Sequence, residues 1–116
     1  MLFIGISREF SLENEDQYNT IGSFWDEMSS LYGLENLIGL GYKWKDNKIS
    51  YAIGLKLGQI KDHNFSIELP DNGWDIVKGK TDELKNIYDK IYLDGALKYE
   101  LETFTEEGEC LIKYYR

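Results

Sequence analysis

The order of the apolar segments is the feature of this sequence that most restricts its fold. A short apolar segment at 2–7 precedes an amphipathic helical pattern, and two alternating segments, 37–44 and 49–57, follow it. Four polar residues, 45–48, join the alternating segments and predict an antiparallel hairpin. Apolar residues of the helical pattern recur at steps of three and four, as on one face of a helix. They are Tyr18, Ile21, Trp25, Met28 and Tyr32.

The second half of the sequence repeats this order with different residues. A second helical stripe is formed by Leu84, Ile87, Tyr88, Ile91 and Tyr92. Strand-like segments lie on both sides of it, at 65–69, 74–78, 98–104 and 109–115. The sequence therefore predicts one α+β domain over residues 1–116, built from a duplicated strand–helix–strand–strand unit. We expect an antiparallel sheet with two helices that flank a groove.

Polar residues before each stripe indicate where the two helices begin. Asn14 is the expected cap of the first helix, with Gln17 at the third helical position as in a capping box. Thr81 is the expected cap of the second helix. Gly33 follows the first stripe, where a helix C-cap is expected.

The charge of the chain argues against nucleic acid as a direct partner. Acidic residues number 21 and basic residues 13, which gives a formal net charge of −8. A nucleic-acid binder needs lysine and arginine to neutralise phosphates. An acidic field instead raises the local concentration of organic cations. The alternative is that the net charge only keeps the protein soluble. No apolar run approaches the ~20 residues that span a bilayer, and no signal peptide is recognisable, so we expect a cytoplasmic protein without membrane contact.

Residues that commonly hold metals or cofactors are scarce. With His63 as the only histidine and Cys110 as the only cysteine, neither a zinc site nor a histidine-activated nucleophile can be assembled in one chain. The Gly39-Leu40-Gly41 segment lacks the third glycine of a dinucleotide fingerprint. We therefore predict no cofactor and no metal.

Aromatic residues make up 15% of the chain and are enough to line a cavity. Trp25 and Tyr88 occupy matching positions on the two helical stripes, as expected for opposite walls of one groove. The candidate aromatic box consists of Trp25, Tyr51, Trp74, Tyr88 and Tyr99. Ordinary core packing is the alternative role of each ring. Trp44 and Phe104 are assigned to packing of the two hairpins.

Four segments resemble the GyrI-like, or effector-binding, domain family, and together they cover nearly the whole chain. They are Ile4-Gly5-Ile6 with Phe24-Trp25, the strand Tyr51-Ala52-Ile53-Gly54, Leu69-Pro70 with Gly73-Trp74, and Tyr99-Glu100-Leu101-Glu102. The resemblance implies the doubled strand–helix–strand–strand fold. It also implies a domain that senses small, often cationic or amphipathic, molecules, either fused to bacterial transcription regulators or as a free-standing protein.

The resemblance places the family's pocket glutamate on Glu100. Glu102 lies on the same strand face, because side chains alternate with period two, and is the second candidate. Glu68 is a third and weaker candidate. An alternative alignment puts the family's acidic final strand on Leu111-Ile112-Lys113, and Lys113 there would argue against a preference for cations.

We therefore expect a free-standing sensor or sequestration protein for a small organic, cationic or amphipathic compound. Its ligand-binding residues would be Trp25, Tyr51, Trp74, Tyr88, Tyr99, Glu100 and Glu102. A homodimer or a separate regulator protein is the candidate protein partner. Two alternatives stay open: a hydrolase of electrophilic compounds, with Glu100 as general base and Tyr99 or Trp74 positioning the substrate, and a protein-interaction module.

Overall fold

A computed structural model of the chain describes residues 1–116 and contains two helices and seven strands. The helices are α1 (Gln17–Tyr32) and α2 (Leu84–Leu93). The strands are β1 (Leu2–Ser11), β2 (Leu37–Lys45), β3 (Lys48–Leu55), β4 (Phe65–Glu68), β5 (Asp75–Lys80), β6 (Tyr99–Phe104) and β7 (Glu109–Tyr115). Neither helix is long and apolar enough to cross a membrane.

All seven strands form one antiparallel sheet in the order β4-β1-β3-β2-β6-β7-β5. The predicted α+β class, with an antiparallel sheet and two helices, is confirmed. At the centre of the sheet β2 pairs with β6, which sets Gly39 opposite Glu102 and Gly41 opposite Glu100. Counted outward from this pair, the order β2-β3-β1 on one side mirrors the order β6-β7-β5 on the other.

The helices bury their apolar stripes against one face of the sheet. This helix-side core holds 13 buried residues, among them Phe24, Trp25 and Met28 of α1 and Tyr88 and Ile91 of α2. Burying a large apolar side chain contributes about 1.5–3 kcal/mol, so these stripes hold both helices on the sheet.

The opposite face of the sheet carries a smaller, separate cluster, which we call the back cluster. Its five buried residues are Phe3, Leu40, Ala52, Leu69 and Leu101. Side chains alternate across a strand, so β2, β3 and β6 each supply residues to both faces.

The helices begin later than the polar residues predict. α1 starts at Gln17 after a 3₁₀ turn over Glu13–Glu15, and Asn14 lies inside that turn with a positive φ of 53°. Asparagine tolerates this left-handed conformation, so Asn14 turns the chain instead of capping the helix. Another 3₁₀ turn, Thr81–Glu83, contains Thr81 and precedes α2. Both capping predictions were wrong.

Candidate functional site

A cavity of about 630 Å³ lies between α1 and α2, above strands β2, β3 and β6. Its 20 lining residues include no lysine, arginine or histidine. Three of them are acidic: Asp26 is exposed, whereas Glu100 and Glu102 are each only 4% exposed. Seven are aromatic: Tyr18, Trp25, Trp44, Tyr51, Tyr88, Tyr92 and Phe104. The site therefore combines an aromatic wall with buried carboxyl groups.

Two glycines of β2 leave room for these groups. A Cβ at Gly39 would collide with the Tyr51 hydroxyl and lie 2.7 Å from Cζ2 of Trp25. A Cβ at Gly41 would lie 2.6 Å from Oε1 of Glu100. Since real Cβ atoms essentially never approach other atoms this closely, any larger residue at either position would displace the site. Gly39 and Gly41 thus make room for side chains that line the cavity.

Glu102 lies at the centre of a hydrogen-bond chain that connects both helices to the sheet. Trp25 Nε1 donates to the Tyr51 hydroxyl at 2.9 Å, and the Tyr51 hydroxyl donates to Glu102 Oε1. From the other helix, the Tyr88 hydroxyl donates to Glu102 Oε2 at 2.7 Å. Both carboxyl oxygens of Glu102 are therefore satisfied. Burial raises the pKa of Glu102, and the two tyrosine hydrogen bonds oppose that rise.

Glu100 has fewer partners than Glu102. The Tyr92 hydroxyl donates to its Oε2 at 2.9 Å, and no protein group bonds to its Oε1. Gln17 Oε1 is the only fully buried side-chain oxygen or nitrogen that lacks a partner. Because Glu100 Oε1 also lacks a partner, it is not fully buried and retains accessible surface at the cavity. Burial, followed by repulsion from Glu102, holds the pKa of Glu100 well above its usual value, against the hydrogen bond from Tyr92.

The neighbouring tyrosines titrate far from their ordinary range. Burial, with the negative charges of Asp89 and Glu100, raises the pKa of Tyr18 to about 12. Burial and the two glutamates also raise the pKa of Tyr51 and of Tyr88. All three hydroxyls stay protonated at neutral pH and can act as hydrogen-bond donors.

Five of the seven ligand-binding residues predicted from the sequence line this cavity. They are Trp25, Tyr51, Tyr88, Glu100 and Glu102. Trp74 and Tyr99 lie on the back face of the sheet, where their ring centroids are 6.2 Å apart and Trp74 Nε1 donates to the Pro70 carbonyl at 2.7 Å. This corrects the expectation of one five-membered aromatic box. The physical reason is the alternation along β6, which directs Tyr99 away from the face of Glu100.

The other two charged candidates lie outside the cavity. Glu68 is exposed on the edge strand β4, and Lys113 is exposed on β7. No basic group therefore faces the two glutamates from the position that the alternative alignment considered.

Sequence reasoning missed Tyr92, Trp44 and Phe104, which all line the cavity. Tyr92 follows Tyr88 by one helical turn, and their rings stack with centroids 5.6 Å apart. That spacing was a usable signal, because Tyr88 was already a candidate. Phe104 packs edge-to-face on Trp25, with centroids 4.8 Å apart. Its place depends on contact between α1 and β6, which no local pattern reveals.

Comparison with known proteins gives a match in structure only. No protein-family model and no curated protein matches this sequence. A solved structure, that of SAV2435 bound to tetraphenylphosphonium, is similar with a TM-score of 0.68 and 14% sequence identity. The match covers 98% of this chain and 87% of that chain. At this identity the likeness shows a shared fold, and in SAV2435 that fold is seen with an organic cation.

Proposed function

We propose that this chain binds a lipophilic aromatic monocation in the cavity between α1 and α2, as a sensor or sequestration protein. The observation that carries the proposal is the pair Glu100 and Glu102, buried in a cavity with seven aromatic and no basic lining residues. A buried carboxylate without a cation is costly, because the protein interior solvates charge poorly. A bound organic cation would offset that cost.

The aromatic walls suit the same class of ligand. The faces of tryptophan and tyrosine rings attract cations, and large rings bury apolar surface of the ligand. Trp25 and Tyr51 on one side and Tyr88 on the other enclose Glu102. A volume of about 630 Å³ falls within the usual range for sites that hold drug-sized molecules.

The structural neighbour supports this choice of ligand. SAV2435 was solved with tetraphenylphosphonium, which carries one positive charge inside four phenyl rings. We carry over the ligand class and propose membership of the GyrI-like effector-binding domains. The mirrored strand orders on either side of the β2–β6 pair support a duplicated unit. In a cytoplasmic sensor of this kind, a second copy of the chain or a separate regulator would transmit the signal.

Calorimetric titration with tetraphenylphosphonium and its isosteric anion tetraphenylborate tests the proposal. Shape and apolar area are the same in both probes, so only charge distinguishes them. We expect the cation to bind at least about tenfold tighter, equivalent to ~1.4 kcal/mol. Equal binding, or preference for the anion, would contradict the proposal. Glu68→Gln is the control for overall charge, because it removes one negative charge outside the cavity and should keep the preference for the cation.

A hydrolase is the second candidate, favoured by one observation. Glu100 combines an unpartnered oxygen at the cavity with a raised pKa, and such groups occur at catalytic sites. Tyr99 and Trp74 cannot position a substrate there, since both lie on the back face. Recovery of unchanged ligand after long incubation supports binding alone. Hydrolysis of electrophilic esters that disappears in Glu100→Gln would favour the enzyme.

A further inference from the structure

Glu100 and Glu102 occupy one face of β6 with little to compensate two negative charges. A strand rises ~3.3 Å per residue, so two residues on one face lie about 7 Å apart along it. Each is only 4% exposed. Opposite them on β2 stand Gly41 and Gly39, which contribute no side chain. At this spacing, and in surroundings of low dielectric, two carboxylates repel each other strongly.

No cation faces the pair from any of the surrounding elements. α1 contributes Tyr18 and Asp26, β3 contributes Tyr51, and α2 contributes Tyr88 and Tyr92. On β7, Tyr114 is the cross-strand partner of Glu100, and the thiol of Cys110 has a pKa that is raised by burial and by Glu102. Lys85 of α2 stays at the surface, with its Nζ 3.1 Å from Asp89 and 3.3 Å from Glu15. Every group turned towards the two carboxyls is therefore neutral or negative.

The available hydrogen-bond donors are shared unequally between the two carboxyls. The hydroxyls of Tyr51 and Tyr88 serve both oxygens of Glu102, whereas Tyr92 serves only Oε2 of Glu100. Donors stabilise the ionised form of a carboxyl. Glu102 is thus the better site for the single negative charge, and the free Oε1 of Glu100 is the better site for a proton.

We propose that the cavity exchanges a proton for its cationic ligand. In the empty protein the two carboxyls share one negative charge, with the proton on Glu100. When a monocation enters, the O–H bond of Glu100 breaks, its electron pair stays on the carboxylate, and the proton passes to the buffer. This inference rests on the proposed function and adds a rule for selectivity. At lower pH the protonated cavity suits uncharged aromatic molecules with a hydrogen-bond acceptor, and at higher pH it suits cations.

The direction in which the pKa of Glu100 is shifted agrees with this geometry. Burial and the charge of Glu102 hold the pKa of Glu100 well above its usual value, and a bound cation would lower it again. A ligand that lowers the pKa must bind more weakly where the proton has to be removed. Below the pKa of the empty site, the Kd of a cation should rise about tenfold for each unit of pH decrease, and above it the Kd should be constant.

Two probes that do not titrate test the exchange: tetraphenylphosphonium, a permanent cation, and triphenylphosphine oxide, a neutral acceptor. Their Kd values would be measured from about pH 5 to pH 9, a window that begins near the ordinary carboxyl range. Calorimetry at each pH, in buffers with different ionisation enthalpies, counts the protons released. We expect a proton released per bound cation below the pKa of the empty site. The neutral oxide should show the reverse trend and bind more weakly as pH rises.

The outcomes separate this inference from the function beneath it. Binding of tetraphenylphosphonium with constant Kd and no proton release across the whole range would overturn the exchange and leave cation binding intact. No binding of the cation at any pH would overturn both. In Glu100→Gln, we expect proton release to disappear and the pH trend of the oxide to flatten, while Glu68→Gln keeps both. A full proton still released by Glu100→Gln would overturn the assignment to Glu100.

Discussion

The two faces of the central strands differ in what they bury. On the back face, Leu40 of β2 and Leu101 of β6 pack in a cluster made only of apolar side chains. On the helix side, Glu100 and Glu102 of the same β6 strand stand in a cavity and depend on tyrosine hydroxyls. The back face buries only apolar side chains, whereas the helix side combines a larger apolar core with groups that are costly to bury and that ligand binding can use. Neighbouring positions on β6 thus serve different purposes.

Shortening a back-cluster side chain should have the largest effect on stability and little on binding. Leu101→Ala removes buried apolar contacts and leaves a cavity, so we expect a loss of about 2–5 kcal/mol in the free energy of unfolding. Urea denaturation measures this loss. The folded fraction should keep its preference for tetraphenylphosphonium over tetraphenylborate, and a lost preference would show that the two faces are coupled.

Removing one hydroxyl from the helix side should have a smaller effect on stability and a clear effect on binding. Tyr51→Phe leaves Glu102 Oε1 and Trp25 Nε1 without their shared partner. Leaving buried polar groups unpaired costs about 1–3 kcal/mol. Thermal and urea unfolding measure that cost, and calorimetry should show weaker cation binding. A variant as stable as the native protein would mean that water replaces the hydroxyl.

The pH dependence of stability should show the cost of burying Glu100 on the helix side. A carboxyl whose pKa is raised on folding binds more protons in the folded state than in the unfolded state. Its contribution to the free energy of unfolding is therefore fully present below the unfolded-state pKa near 4.5 and is lost as pH rises through the folded-state pKa. Glu100→Gln removes this loss, and we expect it to become more stable than the native protein towards alkaline pH. Unfolding curves measured along a pH series test this sign, and a less stable variant at high pH would contradict it.

A substitution near the back cluster should have the smallest effect. Trp74→Phe removes the hydrogen bond from the indole to the Pro70 carbonyl and keeps an aromatic ring, so we expect a loss of about 1 kcal/mol. Binding of tetraphenylphosphonium should stay unchanged. Trp25→Phe, the matched change on the cavity side, should weaken that binding, because its indole donates to Tyr51. Equal effects of both changes on the Kd would contradict the division between the faces.

Local patterns were sufficient for the fold class and for part of the site. The stripes at steps of three and four predict both helices, and alternation along β6 predicts that Glu100 and Glu102 share a face. The same alternation puts Tyr99 on the other face. Strand geometry alone therefore argued against including Tyr99 in the aromatic box with Glu100.

The remaining features depend on contacts between distant parts of the chain. Gly39 and Gly41 are required because β2 pairs with β6 in a register that brings Glu102 and Glu100 opposite them. Neither the partner strand nor the register can be read from the segment itself. The same holds for Phe104, which reaches the cavity only because α1 brings Trp25 against it. Non-local pairing therefore limited the prediction of the site more than element type did.

The positions of the three tryptophans have a practical consequence for spectroscopy. Trp25 and Trp44 line the cavity, whereas Trp74 packs against Tyr99 on the back of the sheet. Fluorescence from the first two would respond to an aromatic guest, and fluorescence from Trp74 would supply an internal reference in the same molecule. Single Trp→Phe variants would separate the contributions. Occupancy of the cavity can then be followed without an attached dye, which matters because most dyes are themselves lipophilic aromatic ions.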